Sequence, residues 1–228
     1  SSRDEILAIG HRVVHGGQKY HAPLKITKPI IDDLKLLIPF APLHQPFNIE
    51  AIEILHQSLP QLTQVACFDT AFHATHPPVA DYFGIPRSLT QSGIKRYGFH
   101  GLSYEFIIHR LKELTPHNLK DRIVVAHLGN GASMCAVKNG KSIDSTMGFT
   151  ALDGLMMGSR CGTIDPGVIL YLMKYKNMSH DDIENLLYKK SGLLGVSQES
   201  NDMQVLLNSK SQNAQDAISL YVYRIRRE

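Results

Sequence analysis

Apolar positions along this chain fall into strand-like and helix-like stretches. Residues 6–14 read as a strand that enters a loop at Gly16-Gly17. Thr27 and Pro29 mark a helix start, and Ile30, Ile31, Leu34, Leu37 and Ile38 recur at helical spacing until Pro39 and Pro42 end the run. A second helix begins near Pro46, with Ile49, Ile52 and Leu55 at helical intervals. Residues 62–68 have the short apolar character of a buried strand, and Asp69 ends it. From Tyr97 onward, Leu102, Phe106, Ile107, Leu111 and Leu114 predict a longer helix with those residues on one side. Three short runs follow, at 123–126, 133–137 and 141–146, separated by Gly129-Asn130-Gly131 and by Asn139-Gly140. They read as strand, glycine turn, strand, Asn-Gly hairpin, strand. Residues 148–166 are glycine-rich and aperiodic, and helices then dominate at 166–175, at 180–190 and from Ala214 to the end. Strands followed by helices, then a three-strand unit and more helices, indicate an α/β architecture.

At 228 residues the chain has room for one large or two modest domains. Apolar residues at 43% and charged residues at 20% match a globular protein and exclude a disordered one. No apolar run approaches the roughly 18 residues of a membrane span, and no signal-peptide pattern opens the chain. A net charge of +3, with basic residues scattered apart from Arg224, Arg226 and Arg227, does not argue for nucleic acid. Cys67, Cys135 and Cys161 are widely spaced and form no C-x-x-C pair. Buried thiols in a reducing, cytoplasmic location are expected. The chain begins Ser-Ser and ends inside a continuing amphipathic helix, so a piece of a longer protein is expected.

Five constellations bear on chemistry. Gly129-Asn130-Gly131 between strands admits close backbone approach to an anion, or is a plain hairpin with a bulge. Arg12 at a strand end beside Gly16-Gly17 offers a planar donor fork for an anion, or is a surface arginine near a turn. Asp69 at the end of a buried strand is placed to hold a hard cation such as Mg²⁺, or to cap a helix. His100, between Gly98 and Gly101, is placed by its small neighbours to face a ligand as a donor, or simply starts a helix. Arg160 in its glycine-rich segment suits a mobile loop that clamps a phosphoryl group. His11 with His15 and His73 with His76 have ligand-like spacing, but no H-E-x-x-H pattern or nearby cysteine supports zinc. Two arginines, a histidine and an aspartate beside glycines fit phosphoryl transfer, which is mostly positioning and charge neutralisation.

The motifs GHRVVHGG at 10–17, APLHQPFNIEAI at 41–52, FDTAFHATHP at 68–77, RYGFHGLSYEF at 96–106, AHLGNGASMCAVKNGKSIDSTMGFT at 126–150 and DGLMMGSRCGTIDPG at 153–167 together resemble the acetate kinase family. That family belongs to the acetate and sugar kinase, Hsp70 and actin superfamily. The resemblance implies α/β, ribonuclease H-like duplicated domains, incomplete here. Residues 1–69 would be the remainder of the N-terminal domain and 70–228 the C-terminal portion with one phosphate loop. It implies ATP or ADP as co-substrate, Mg²⁺ as cofactor, acetate or acetyl phosphate as substrate, and a homodimer. Arg12, His100, Arg160 and Asp69 would be catalytic. Arg12, Val14, Leu43 and Phe99 would bind the acyl substrate. His127, Gly129, Asn130 and Gly131 would bind nucleotide. Asp69 would hold Mg²⁺ with a glutamate from beyond this chain. The family pattern has Pro where this chain has Ala151, which leaves propionate or butyrate as alternative substrates. The family's first phosphate loop and its late adenosine-binding loop have no counterpart in these residues, so weak or no activity is expected of them alone. A nucleotide-binding piece without catalysis is the competing reading.

Overall fold

The computed structural model describes residues 6–115 and 122–228. β1 (Ala8–Val13) pairs in parallel with β3 (Thr63–Phe68), with Ala8 opposite Thr63 and Val13 opposite Phe68. β2 (Leu24–Lys25) joins β3 antiparallel, which gives the order β1-β3-β2. A tight turn cannot join parallel neighbours, so the chain crosses over through helices. α1 (Lys28–Leu36) starts after extended Thr27 with Pro29 in its first turn, and α2 (Gln45–Ser58) follows a 3₁₀ turn at Ile38–Phe40. Val13, Ala66 and Phe68 from the strands pack with Ile31, Leu34, Ile49 and Ile52 from these helices. The two longer strands and both helices stand where the sequence pattern puts them. β2 has no sequence signature because two residues carry no period.

A 3₁₀ turn at Ala71–Thr75, α3 (Pro78–Asp81), α4 (Arg87–Gln91) and α5 (Gly101–Leu114) follow. α5 corrects the sequence reading. Its buried residues are Gly101, Tyr104 and Ile108, while Phe106 and Leu114 are 60% and 67% exposed. The stripe that meets the core is narrow, so the other apolar residues of α5 mislead about its inner face. β4 (Arg122–Leu128), β5 (Ala132–Lys138) and β6 (Lys141–Ser145) form a second sheet in the order β4-β5-β6. Asn139 and Gly140 have φ of 55° and 74°, the left-handed pair that a two-residue Asn-Gly hairpin needs.

The remaining helices are α6 (Pro166–Tyr175), α7 (His180–Lys189), α8 (Gly192–Ser197), α9 (Met203–Asn208) and α10 (Gln212–Arg227). Asp165, Ser179, Asp202 and Ser211 cap α6, α7, α9 and α10 by accepting backbone N–H groups. Met156, Leu193, Leu206, Ala214 and Ala217 form the core here.

By packing, the chain divides into Ser1–Val125 with Ala136–Ser145, and Ala126–Cys135 with Thr146–Glu228. This differs from the sequence division at residue 69. Residues just past 69 stay with the first unit because His73 and His76 hydrogen-bond Ser142, Thr75 bonds the Ser142 carbonyl, and Gly101 N–H donates to the Asp69 carbonyl.

Candidate functional site

In the first unit, the turn after β1 is fastened residue by residue. The N–H groups of Val14, His15, Gly16 and Gly17 donate to Asn48 Oδ1, Gln45 Oε1, Thr70 Oγ1 and His15 Nδ1. Gln45 also donates through Nε2 to the His15 carbonyl at 3.1 Å, so it pairs with both backbone groups of one residue, as a neighbouring strand would. The glycines serve packing: a Cβ on Gly16 would stand 2.3 Å from the Tyr20 carbonyl oxygen, and Gly17 has φ +63°. With those N–H groups occupied, what this segment has left to offer an anion is the Arg12 side chain.

Arg12 is set by Asp69. Its Nε donates to both carboxylate oxygens at 3.1 Å and its Nη2 to Oδ2 at 2.5 Å. The Asp69 side chain is 2% exposed and that of Arg12 57%. Nη1 has no partner among the described residues. A buried carboxylate therefore grips one edge of a half-exposed guanidinium and leaves donor capacity over. Asp69 is not a helix cap in this structure; its N–H continues the strand contact to the Val13 carbonyl.

Val14 and Phe99 are buried at 4% and 2% exposure, and Leu43 is exposed at 36%. His15 is fully buried among the rings of Phe40, Tyr97 and Phe99. Burial lowers its pKa to about 4. His100 precedes α5 in a left-handed conformation, φ 59° and ψ 19°. For a residue with a Cβ this costs about 1–2 kcal/mol, so the neighbours must impose it. Gly101 N–H donates to the Asp69 carbonyl at 2.8 Å on one side. On the other, His73 Nε2 holds the Phe99 carbonyl at 2.9 Å. His73 and His76 thus stand together, and their ring nitrogens contact Phe99, Ser142 and Asp81.

In the second unit, Asn130 is pinned by Gly158 N–H on its carbonyl at 3.0 Å and by Asn201 Nδ2 on its Oδ1 at 3.3 Å. It lines a cavity of about 580 Å³ with Leu128, Gly129, Gly158, Leu193, Asn201, Asp202, Met203 and Tyr221. Gly129 allows close packing without left-handed backbone: a Cβ there would meet the Gly131 carbonyl oxygen at 3.3 Å and His127 Nε2 at 3.5 Å. Sequence reasoning missed Asn201, Asp202, Met203 and Tyr221. The signal that was present is the Asp202 cap of α9, too short a helix to show a period.

The segment carrying Arg160 is not the mobile loop expected. Met157 N–H donates to the Arg160 carbonyl, and Ser191, Leu193 and Leu194 N–H groups donate to Ser159, Met157 and Gly158 carbonyls. The start of α8 therefore fixes it. Arg160 Nη1 donates to the Ala151 carbonyl at 2.8 Å, and its Nε and Nη2 have no partner among the described residues. Burial lowers its pKa, with Tyr188 acting the other way, and a guanidinium stays charged regardless.

The family model described as the Acetokinase family matches residues 1–228. The chain belongs to the acetokinase family. The acetate kinase of Rhodopseudomonas palustris is 58% identical over 222 residues, covering 97% of this chain and 56% of that protein. That of Methylocella silvestris is 56% identical over 224 residues, covering 98% and 55%. The Porphyromonas gingivalis acetate kinase crystal structure matches with a TM-score of 0.91 at 41% identity, over 99% of this chain and 58% of that one. A Francisella tularensis propionate kinase matches with 0.94 at 42%, over 98% and 59%. The chain therefore has the α/β fold of these kinases and spans a little over half their length.

Within this acetokinase-family fold, the Asn130 cavity gives a sharp test. A Cβ on Gly158 would stand 2.1 Å from Asn130 Oδ1. Gly158→Ala should turn the Asn130 amide aside and leave the fold intact. If Asn130 holds nucleotide, as the family resemblance implies, loss of one or two hydrogen bonds should weaken ADP binding by about 10–100-fold in calorimetric titration, with an unchanged melting temperature. Unchanged affinity would count against the expected nucleotide role of Asn130.

Proposed function

We propose that the protein carrying this chain is a phosphotransferase that moves the γ-phosphoryl group of ATP to acetate, reversibly, giving acetyl phosphate and ADP. The observation that carries this reading is the Arg12–Asp69 fork: a cation oriented by a buried carboxylate, with a donor left for an anion. Family membership supplies the substrate class.

The chemistry follows from charge. A short-chain carboxylate is ionised at neutral pH, so the attacking oxygen needs no general base. The barrier is repulsion between two anions, the carboxylate and the γ-phosphate. Arg12, Arg160 and His100 lower it by donating to the phosphoryl oxygens, and Val14, Phe99 and Leu43 contact the acyl group. His127, Gly129, Asn130 and Gly131 hold the nucleotide phosphates, which the cavity beside Asn130 supports. Asp69 is a hard oxygen donor, and Mg²⁺ needs only one or two carboxylates beside phosphate and water, so Asp69 would hold the ion through lone pairs that its pairing with Arg12 leaves over. A Mg²⁺ ion held there would supply charge neutralisation to the phosphates. Transfer is direct and in line, without a phosphoenzyme.

The test is an acyl-phosphate assay trapped with hydroxylamine, on a protein of full family length, with acetate, propionate and butyrate compared. No product with any of the three would sink the reading. Ala151 and the propionate kinase neighbour favour propionate as the second substrate. A nucleotide-binding piece without catalysis is the reading for these residues alone, because the Asn130 cavity lies wholly within the second unit. The boundary at residue 69 is kept as a proposal about the family's duplication, distinct from the packing units.

A second copy of the protein is the partner proposed. α6 buries none of its residues, and Leu170, Tyr171, Met173 and Tyr175 are 66%, 50%, 50% and 63% exposed. Leu170→Glu should halve the mass in sedimentation equilibrium without lowering the melting temperature. An unaltered mass, or a destabilised protein of unaltered mass, counts against the dimer face. We place the protein in the cytoplasm, supported by Cys67, Cys135 and Cys161 remaining thiols. Among the described residues no helix is long and apolar enough to cross a membrane.

A further inference from the structure

The His100 turn is tied to a buried chain of polar groups. His73 Nε2 lies 2.9 Å from the Phe99 carbonyl oxygen, and its Nδ1 lies 2.9 Å from Ser142 Oγ. The same hydroxyl is 2.7 Å from His76 Nε2, whose Nδ1 faces Asp81 Oδ1 at 3.2 Å. Lys95 Nζ donates to Asp81 Oδ2 at 2.9 Å. Ser142, His73 and His76 are buried, at 0%, 2% and 9% exposure.

The Phe99 carbonyl at one end fixes the direction of the bonds through His73 and Ser142. A carbonyl only accepts, so His73 carries its proton on Nε2. Burial lowers the His73 pKa to about 4, so the ring is neutral and Nδ1 accepts from the Ser142 hydroxyl. Ser142 then accepts from His76 Nε2–H. The Asp81 carboxylate also only accepts, so a proton on His76 Nδ1 would be donated to it across 3.2 Å. Burial pushes the Asp81 carboxyl up, but hydrogen bonds from His76 and Lys95 outweigh it and hold it below its usual range. His76 and Lys95 thus meet on one carboxylate, and the rings of Phe72 and Tyr104 pack against His73.

The set resembles a Ser-His-Asp nucleophile, but Ser142 is fully buried and its hydroxyl already serves two imidazoles. Its output is the orientation of His73. That ring also packs on the turn directly: a Cβ on Gly98 would stand 2.6 Å from His73 Cδ2.

We propose that His73 is a positioning residue for phosphoryl transfer: it holds the Phe99 carbonyl and so the left-handed His100, while Ser142, His76 and Asp81 fix its tautomer. The proposal rests on the kinase reading above. His73→Leu in a protein of full family length should lower kcat by about 10–100-fold with KM for ATP within about twofold, because the turn is displaced and the nucleotide site is not. His73→Gln, which keeps a donor for the Phe99 carbonyl, should recover kcat to within about fivefold of wild type. Equal loss in both variants, or a loss shared by kcat and KM, makes the ring mere packing and overturns the proposal. Should His73→Leu fail to fold, Ser142→Ala decides: a kcat at least about threefold lower supports the relay, and an unchanged kcat overturns it. An inactive wild type overturns the kinase reading and this proposal with it. An active wild type with an indifferent His73→Leu overturns this proposal alone.

Discussion

Replacing Arg12 by alanine in a protein of full family length is expected to lower kcat by about 10²–10³-fold, the usual loss when one preorganised donor to a charge-bearing oxygen is removed. Stability should fall too, for a separate reason. Asp69 is 2% exposed, and the Arg12 guanidinium is the partner of both its oxygens. Removing the partner leaves a buried carboxylate without its counter-charge. Full burial of a broken pair costs about 3–5 kcal/mol, and the half-exposed arginine reduces this to about 1–3 kcal/mol. The two effects can be separated. Arg12→Ala with Asp69→Asn removes the uncompensated charge, so melting temperature should recover, while kcat stays low because the double variant lacks both Arg12 and the proposed Mg²⁺ donor. Arg12→Lys should recover little activity, because one ammonium cannot hold Asp69 through two nitrogens and still present a donor. If the double variant recovers both properties, the single variant lost activity through misfolding alone, and Arg12 is not a phosphoryl ligand.

The fold was legible where the chain's own period or turn chemistry determines it. β1 and β3, the Pro-marked starts of α1 and α6, and the Asn139-Gly140 hairpin all follow from local constraints. Arg12 and Asp69 were singled out separately, and they meet because parallel pairing sets Val13 beside Phe68 and carries both residues to the same end of the sheet. What was not legible is what fastens those residues. Gln45, Asn48 and Thr70 satisfy the turn after β1 from 30, 34 and 54 residues away. Ser142 reaches His73 across 69 positions. A polar side chain serving a distant backbone group leaves no trace in spacing or composition, because its role depends on the completed crossover. α8 and α9 escaped for a different reason: at six residues each they complete fewer than two turns.

Acid is expected to unfold this protein through two histidines. His15 and His73 are buried, and burial lowers both from an ordinary 6.5 to about 4. Above pH 6.5 neither the folded nor the unfolded chain binds these protons, so their contribution is constant. Between 6.5 and 4 the unfolded chain takes them up and the folded chain does not, so stability falls with pH. Below 4 both states are protonated and the loss stops growing. Linkage gives about 2 kcal/mol per histidine between pH 7.5 and pH 5, or about 4 kcal/mol together, against a typical total of about 5–15 kcal/mol. Carboxylates held low, such as Asp81 beside His76 and Lys95, act in a lower window, below their unfolded values near 4. Urea unfolding at pH 7.5 and pH 5 should show this fall, with about two protons taken up per unfolding event at pH 5. Equal stability at the two pH values would mean that both rings are solvated or charged in the fold. The two histidines also locate the functional consequence. His15 Nδ1 accepts the Gly17 N–H in the turn that follows Arg12, and His73 Nε2 donates to the carbonyl preceding His100. Charging His15 removes an acceptor and charging His73 removes the one facing Ser142, so acid loosens the supports of Arg12 and His100 together. Activity should therefore be lost in the same pH window as the fold, and a protein that stays folded at pH 5 should keep both residues in place.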